Sequence, residues 1–112
     1  LYNVSYSGVT MGLIHGSQAD ALVMCHEIGR PHMRGLPDYP VPEIPTAMDT
    51  ILHMAKMVNE DVKFVGVSLN TSNVSADEAA AFKAKTAEQT GLPVVDPLKD
   101  GVAPIVDRLL AG

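Results

Sequence analysis

The sequence has one cysteine, no tryptophan and few aromatic residues, which make up 4% of its 112 residues. A single cysteine forms no disulfide within the chain and cannot build a zinc site from several cysteines. No apolar run reaches about 18 residues, so we expect no transmembrane helix and no membrane partner. Because no basic segment precedes an apolar one at the start, the sequence predicts no signal peptide, and we expect a cytoplasmic protein.

Basic residues are also scarce. Eight lysines and arginines stand against thirteen aspartates and glutamates, which gives a formal net charge of −5. Nucleic-acid modules usually carry a basic stripe, so this balance argues against a nucleic-acid partner. The hydrophobic fraction of 46% excludes a disordered chain, and the length fits a single domain.

The spacing of apolar residues predicts helices and strands that alternate along the chain. The predicted elements are a short helix near residues 9–15, a strand at 21–25, a helix near 46–59, a strand at 62–69, a helix ending near residue 90, a strand at 93–96 and a last helix after residue 100. This order indicates an α/β fold with a parallel sheet and flanking helices. Three strands make a small sheet with exposed edges, so we expect residues 1–112 to be a segment of one α/β domain in a larger protein.

Polar residues at three predicted helix starts indicate N-caps. Ser75 with Glu78 forms a capping box. Thr46 with Asp49 resembles a weaker box, and Asp100 is a candidate cap for the last helix.

Residues 26–45 separate the first predicted strand from the next helix and contain five prolines and two glycines. Loops of this length are uncommon inside compact domains and are often functional. We therefore expect a lid or specificity loop that carries His32, Arg34, Asp38 and Tyr39 over the ligand site.

Ligands of open parallel sheets bind beyond the carboxyl ends of the strands, so the side chains that follow predicted strands are candidates for a site. These residues are His26, Glu27 and Arg30 after the first strand, Asn70, Thr71 and Ser72 after the second, and Asp96 with Pro97 after the third. We expect the three groups to share one edge of the sheet.

Each candidate also has a purely structural interpretation. His26 and Glu27 could accept a proton in catalysis, or they could simply end a strand. Arg30 and Arg34 could clamp a carboxylate or a phosphate, or form surface ion pairs. Asp96 precedes a proline, which is typical of a turn.

Cys25 and His26 are adjacent, which suggests a nucleophile with its base. Successive residues of a strand point to opposite faces, so the two side chains cannot easily hydrogen-bond. We therefore expect Cys25 to be a buried structural thiol. The spacings of His15, His26 and His32 match no zinc signature, so we expect no metal site.

Four segments carry a resemblance to a known family. They are residues 8–30 (GVTMGLIHGSQADALVMCHEIGR), 35–42 (GLPDYPVP), 65–72 (VGVSLNTS) and 91–110 (GLPVVDPLKDGVAPIVDRLL). Over essentially its whole length the chain resembles the D-glutamate N-acetyltransferase family, formerly catalogued as a conserved domain of unknown function. The resemblance implies a two-domain protein whose C-terminal domain is P-loop NTPase-like and similar to dethiobiotin synthetase. This chain would be the last part of that domain and would lack its phosphate loop.

The resemblance also implies an activity. Members would transfer an acetyl group from acetyl-CoA, a co-substrate rather than a tightly bound cofactor, to the amino group of D-glutamate or a similar acidic amino acid. His26 or Glu27 would accept a proton from the attacking ammonium group. Arg30 or Arg34 would hold a substrate carboxylate or a CoA phosphate.

Further residues and partners follow from the same resemblance. Asn70 matches the position where dethiobiotin synthetase-like folds contact an adenine, which supports a nucleotide-like ligand. His15, Ser17 and Thr71 complete the candidate binding residues. Expected partners are the small-molecule substrates, the remainder of the polypeptide and a second copy of the protein in a homo-oligomer. Two alternatives stay open, an ATP-dependent enzyme of the dethiobiotin synthetase type and a non-catalytic interaction domain.

Overall fold

The computed structural model describes residues 1–112 and contains five helices and five strands. The helices are α1 (Ser7–Ser17), α2 (Ile44–Lys56), α3 (Ala76–Thr90), α4 (Pro97–Asp100) and α5 (Ala103–Leu110). The strands are β1 (Ala21–Glu27), β2 (His32–Met33), β3 (Leu36–Pro40), β4 (Lys63–Asn70) and β5 (Val94–Val95). None of the helices combines the length and the apolar composition that a membrane span requires.

The elements divide into two compact units. The first unit comprises residues 1–20 and 30–63, and the second comprises residues 21–29 and 64–112. The second unit contains the main sheet, and the first contains α1, α2 and a small hairpin.

The sheet of the second unit is parallel and has the strand order β1-β4-β5. Val67 of β4 lies opposite Val94 of β5, and Ser68 lies opposite Val95. β4 is the central strand, and its residues 64–67 are all buried. A strand that is covered on both faces has a continuous apolar sequence, which is why the sequence predicts β4 to within one residue at each end.

Gly66 of β4 lets α5 approach the sheet closely. A Cβ atom built on Gly66 would lie 2.5 Å from Cγ1 of Ile105, which is well inside van der Waals distance. Ile105 is 8% exposed and packs with Val65 and Val95 in the core of this unit. The glycine therefore leaves the space above β4 to a side chain of the helix.

The first unit is built on α2. Its residues Ile44, Ala47 and Ala55 are buried, whereas no residue of α1 is buried. The Nε2 atom of His15 in α1 lies 2.8 Å from the carbonyl oxygen of Met54 in α2. This hydrogen bond ties the two helices together.

The segment 26–45, expected to be an irregular loop, contains a β-hairpin. β2 pairs antiparallel with β3, and Met33 lies opposite Leu36. Gly35 in the turn has a φ of 73°, in the left-handed region that favours glycine. The expectation of a loop is therefore wrong for residues 32–40, because a strand of two residues is too short to show an alternating pattern.

Of the two longest helices, one begins at the residue that the sequence predicts and the other does not. The hydroxyl of Ser75 accepts a hydrogen bond from the backbone N–H of Glu78 at 3.2 Å, so α3 begins at the predicted cap. α2 begins earlier than predicted, after Glu43, with Pro45 in its first turn and no side-chain cap. Thr46 therefore lies inside the helix, and its predicted capping role is wrong.

The chain after β5 also differs from the expectation. Asp96 accepts a hydrogen bond from the backbone N–H of Leu98 at 3.0 Å and caps the one-turn helix α4. Asp100 ends α4 and does not cap the last helix, which begins at Ala103. The proline after Asp96 starts a helical turn because its fixed φ suits that position.

Candidate functional site

A pocket of about 740 Å³ lies where β1, β4 and β5 end in the second unit. It is lined by residues at the ends of these strands and by those that follow: Cys25, His26, Glu27, Ser68, Leu69, Asn70, Thr71, Ser72, Asp96, Pro97, Leu98 and Lys99. Parallel strands bring their carboxyl ends to one edge, so three segments far apart in the sequence meet there. The structure thus brings His26, Glu27, Asn70 and Thr71 together, and their roles stay predictions.

His26 and Glu27 are the last two residues of β1 and not, as expected, the first residues after it. Directly beyond them, the backbone N–H of Ile28 donates to the carbonyl oxygen of Asn70 at 3.0 Å. Ile28 itself is buried. This hydrogen bond ties the end of β1 to the end of β4, so the backbone that carries His26 and Glu27 is held in place.

The imidazole of His26 stacks on the ring of Phe82 in α3. The ring centroids are 5.4 Å apart and the ring planes differ by 4°, which is an offset parallel arrangement. Aromatic pairs in this geometry contribute about 0.5–1.5 kcal/mol beyond the area that they bury. The contact restricts the orientation of the imidazole at the wall of the pocket.

Two asparagines order the loop after β4. The Nδ2 atom of Asn73 donates to Oε2 of Glu27 at 3.3 Å. Oδ1 of Asn70 accepts from the backbone N–H of Ser72 at 3.0 Å and closes a turn. The oxygen of Asn70 therefore has a structural task, and its Nδ2 group is the end that can donate to a ligand.

A buried hydrogen bond joins the ends of β4 and β5. The hydroxyl of Thr71 donates to Oδ2 of Asp96, and both residues are buried. This hydroxyl lowers the pKa of Asp96 from its ordinary value; the backbone N–H of Leu98 and the charge of Lys99 also lower it, and burial opposes them. The carboxylate of Asp96 therefore stays ionised and holds the start of α4 against the end of β4.

A smaller cavity of about 180 Å³ adjoins the pocket between α3 and α4. Lys83 of α3 donates to Oδ2 of Asp100 at 2.8 Å, and this hydrogen bond is the main cause of the lowered pKa of Asp100. The same oxygen accepts from the backbone N–H of Asp96 at 2.9 Å. Asp100 thus links α3 to the residue that caps α4, although solvent weakens an ion pair as exposed as this one.

His15 and Ser17, which the resemblance selects as binding residues, belong to α1 in the first unit. His15 contacts the backbone of α2, as described above, and the hydroxyl of Ser17 donates to the carbonyl oxygen of Ile14 at 3.3 Å. Both side chains therefore have contacts within their own unit. Their ligand-binding roles stay predictions.

The two arginines of the early segment also belong to the first unit. Arg30 is half-buried and directly follows Gly29, whose φ of 87° turns the chain after β1. Arg34 is exposed in the turn of the β2–β3 hairpin. The hairpin gives Arg34 an ordered backbone, and its role as an anion ligand stays a prediction.

Cys25 is exposed, so the expectation of a buried structural thiol is wrong. β1 is an edge strand, and Val23 and Cys25, which share one face, are both exposed. Leu22 and Met24 on the other face are half-buried. An apolar run predicts burial on both faces, and here one face of the edge strand lacks cover.

The sequence does not single out several residues of the site, among them Ser68, Leu69, Leu98, Lys99 and Phe82. Leu98 and Lys99 line the pocket, and the side chain of Leu98 is 97% exposed. Both follow Asp96 within one helical turn, so a slightly wider search beyond the strand end would find them. Phe82 gives no signal, because an alanine-rich helix does not reveal which of its residues faces the end of a distant strand.

A parallel sheet with a pocket at its carboxyl edge is typical of α/β domains that bind small molecules. Residues 1–106 match the family described as a domain of unknown function, the DUF1611 C-terminal P-loop domain. The chain belongs to this family, which confirms the predicted P-loop NTPase-like α/β class.

Two curated relatives are named D-glutamate N-acetyltransferase. The protein from Tritonibacter scottomollicae is 50% identical over 111 residues, which cover 99% of this chain and 33% of the relative. The protein from Pseudoalteromonas sp. is 45% identical over 109 residues, which cover 97% of this chain and 33% of the relative. The predicted resemblance is therefore confirmed, and the chain spans about a third of the length of these relatives.

A solved structure shows the same fold. The crystal structure of a DUF1611 family protein from Anabaena variabilis matches this chain with a TM-score of 0.80 at 30% sequence identity. The match covers 92% of this chain and 31% of the crystallised one. That DUF1611 family protein therefore has the same fold as this chain.

Proposed function

We propose that the protein carrying this chain is an N-acetyltransferase that moves the acetyl group of acetyl-CoA to the amino group of D-glutamate or a similar acidic amino acid. One observation carries the proposal, namely the identity of 50% and 45%, over nearly the whole chain, to two proteins named D-glutamate N-acetyltransferase. Because the chain spans only a third of those relatives, the activity belongs to the whole protein. This chain contributes the pocket of the second unit.

The proposed reaction needs a base beside the amine. An acidic amino acid carries an ammonium group at neutral pH, and its nitrogen attacks only after a proton has been removed. In our proposal His26 takes that proton, because a neutral imidazole is a competent base at this pH. The nitrogen then bonds to the thioester carbonyl carbon, the carbon–sulfur bond breaks, and the departing thiolate takes the second proton from nitrogen. Glu27 is the alternative base.

The lining of the pocket suits the adenine ring of the acetyl donor through its amide and apolar groups and not through its charge. The lining contains one lysine, Lys99, and two carboxylates, Glu27 and Asp96. Such a lining supplies little positive charge for the phosphates of CoA or for the carboxylates of the amino acid. The amide of Asn70 and the apolar side chain of Leu98 suit the adenine ring of CoA, which needs hydrogen bonds at its edge and apolar contact on its face.

The acidic amino acid needs positive charge from elsewhere in the protein. Arg30 and Arg34 are the candidates within this chain, because a guanidinium matches a carboxylate with two parallel hydrogen bonds. Their part in the proposal is to bind a substrate carboxylate or a CoA phosphate.

The test uses the intact protein, incubated with acetyl-CoA and D-glutamate. Release of CoA and the mass of the amino-acid product measure the transfer, and L-glutamate and D-aspartate serve as comparison substrates. We expect CoA and N-acetyl-D-glutamate in equal amounts. Absence of an acetylated product with every acidic amino acid contradicts the proposal.

A second candidate is an ATP-dependent enzyme of the dethiobiotin synthetase type, which the description of the family as a P-loop domain favours. The same incubation distinguishes it, because this activity releases ADP and requires ATP with Mg²⁺. Acetyl transfer in the absence of ATP argues against this candidate. A protein that does neither would fit a non-catalytic interaction domain.

A further inference from the structure

Phe82 contacts a residue of the pocket without lining the pocket itself. Its ring lies parallel to the imidazole of His26, with 5.4 Å between the centroids and 4° between the planes. Phe82 is half-buried on α3, and His26 lines the pocket from the end of β1. A ligand in the pocket would therefore meet His26, and Phe82 would act on it only through that imidazole.

The orientation of the imidazole matters for proton transfer. A base must bring one ring nitrogen to within about 2.6–3.2 Å of the proton-bearing atom. The second side-chain torsion of histidine is broad, so rotation about it moves both nitrogens by several ångströms unless a neighbour restricts it. The ring of Phe82, stacked on one face of the His26 imidazole, restricts this torsion. The stacking does not cover the edge of the imidazole, which carries both nitrogens.

We propose that Phe82 is a positioning residue, which fixes the plane of the His26 imidazole so that its nitrogen can accept the proton of the substrate amine. The kinetic part of this inference rests on the proposed acetyltransferase function. The orientation of the ring can be measured without any catalysis, so the two can fail separately.

The experiment uses the intact protein with three single substitutions. Phe82→Leu removes the ring but keeps apolar bulk, and Phe82→Tyr keeps the ring. Phe64→Leu is the matched control, because Phe64 is the other phenylalanine of the chain and is buried near the amino end of β4, away from the pocket. We expect Phe82→Leu to lower kcat about tenfold with little change in either KM, and Phe82→Tyr to restore most of the loss. Phe64→Leu lowers the melting temperature but keeps kcat.

Two further measurements connect the effect to His26. In a His26→Asn background, Phe82→Leu causes no further loss of kcat, because the partner through which it acts is gone. In NMR spectra of histidine-labelled protein, the nuclear Overhauser contacts of the His26 ring protons should show one ring orientation in the wild type and in Phe82→Tyr, and an average over several orientations in Phe82→Leu.

The outcomes separate the inference from the proposed function. Wild-type kcat in Phe82→Leu, or an equal loss in the His26→Asn background, overturns the positioning role while acetyl transfer stands. If the wild-type protein transfers no acetyl group, the proposed function fails, and the NMR comparison decides alone. A single ring orientation of His26 retained in Phe82→Leu then overturns the inference, and averaging over several orientations supports it.

Discussion

The two units of the chain differ in what they bury. In the second unit, residues 64–67 of β4 are buried in succession, and the polar pair Thr71–Asp96 is buried at the strand ends. In the first unit, α1 buries no residue, and residues 37–40 of β3 are all exposed. The candidate pocket lies in the unit with the buried strand and the buried polar pair. Side chains attached to a buried, hydrogen-bonded backbone keep a more constant geometry than side chains on exposed elements.

The largest contrast between the units is expected for their histidines. His26→Asn in the second unit should lower kcat of the intact protein by about 100-fold or more, since general bases contribute about 10²–10⁴ to the rate. His53→Asn in α2 of the first unit should leave kcat unchanged, because His53 is exposed on the polar side of its helix. Steady-state kinetics of both variants provide the test. A similar kcat in the His26→Asn and His53→Asn variants would contradict a catalytic role of His26.

Glycine substitutions should also affect the two units differently, here in the free energy of unfolding. Gly66→Ala places a methyl group against Ile105 and should lower the free energy of unfolding by about 1–3 kcal/mol. Gly12→Ala in α1 meets no atom within 4 Å and should raise it by about 0.5–1 kcal/mol, because alanine favours the helix. Urea denaturation measures both values. Equal effects would mean that α5 does not pack against β4 as described.

The arginines test the contrast from the side of the first unit, because each has a predicted binding role. We expect Arg→Lys at Arg30 or Arg34 to raise KM for the amino acid or for acetyl-CoA at least about tenfold, equivalent to about 1.4 kcal/mol. Lysine keeps the charge but loses the two parallel hydrogen bonds. Kinetics with each substrate varied in turn decide the point. Wild-type constants in both variants would make the two arginines surface charges.

The smallest expected effect is a pH dependence of the free energy of unfolding, which Asp96 of the second unit causes. The pKa of Asp96 is near its ordinary value of 3.8 in the unfolded chain and lower in the folded protein, so the unfolded state takes up the proton first as the pH falls. The stabilisation is fully present above the unfolded pKa and is lost as the pH falls through the folded one.

Thr71→Val removes the main cause of that shift. We expect a flatter dependence of the free energy of unfolding on pH below about pH 5 in this variant. Thr50→Val is the control, because the hydroxyl of Thr50 contacts Tyr2 and a backbone carbonyl in the first unit. Equal slopes in Thr71→Val and wild type would contradict the account of Asp96.

The sequence predicts the second unit better than the first. β4 and the Ser75 cap are predicted because a buried strand and a capping box each depend on neighbouring residues. The meeting of His26 and Asn70 follows from the rule that parallel strands end at one edge. The hairpin and the exposure of Cys25 are not predicted, because strand pairing and the cover of an edge strand depend on residues far away in the chain.

Asn70 gives the most direct test of the central claim, which is that the pocket of the second unit binds the nucleotide part of acetyl-CoA. Asn70→Asp keeps the oxygen that accepts from the backbone N–H of Ser72 and removes the Nδ2 donors. Ser72→Asp is the control, because it adds the same charge to the pocket lining and keeps the amide. The measurement is calorimetric titration of the intact protein and of both variants with adenosine 3′,5′-bisphosphate. We predict that Asn70→Asp weakens binding at least about tenfold with an unchanged melting temperature, and that Ser72→Asp weakens it much less. Binding by Asn70→Asp as tight as that of the wild type, or an equal loss in Ser72→Asp, would contradict the claim.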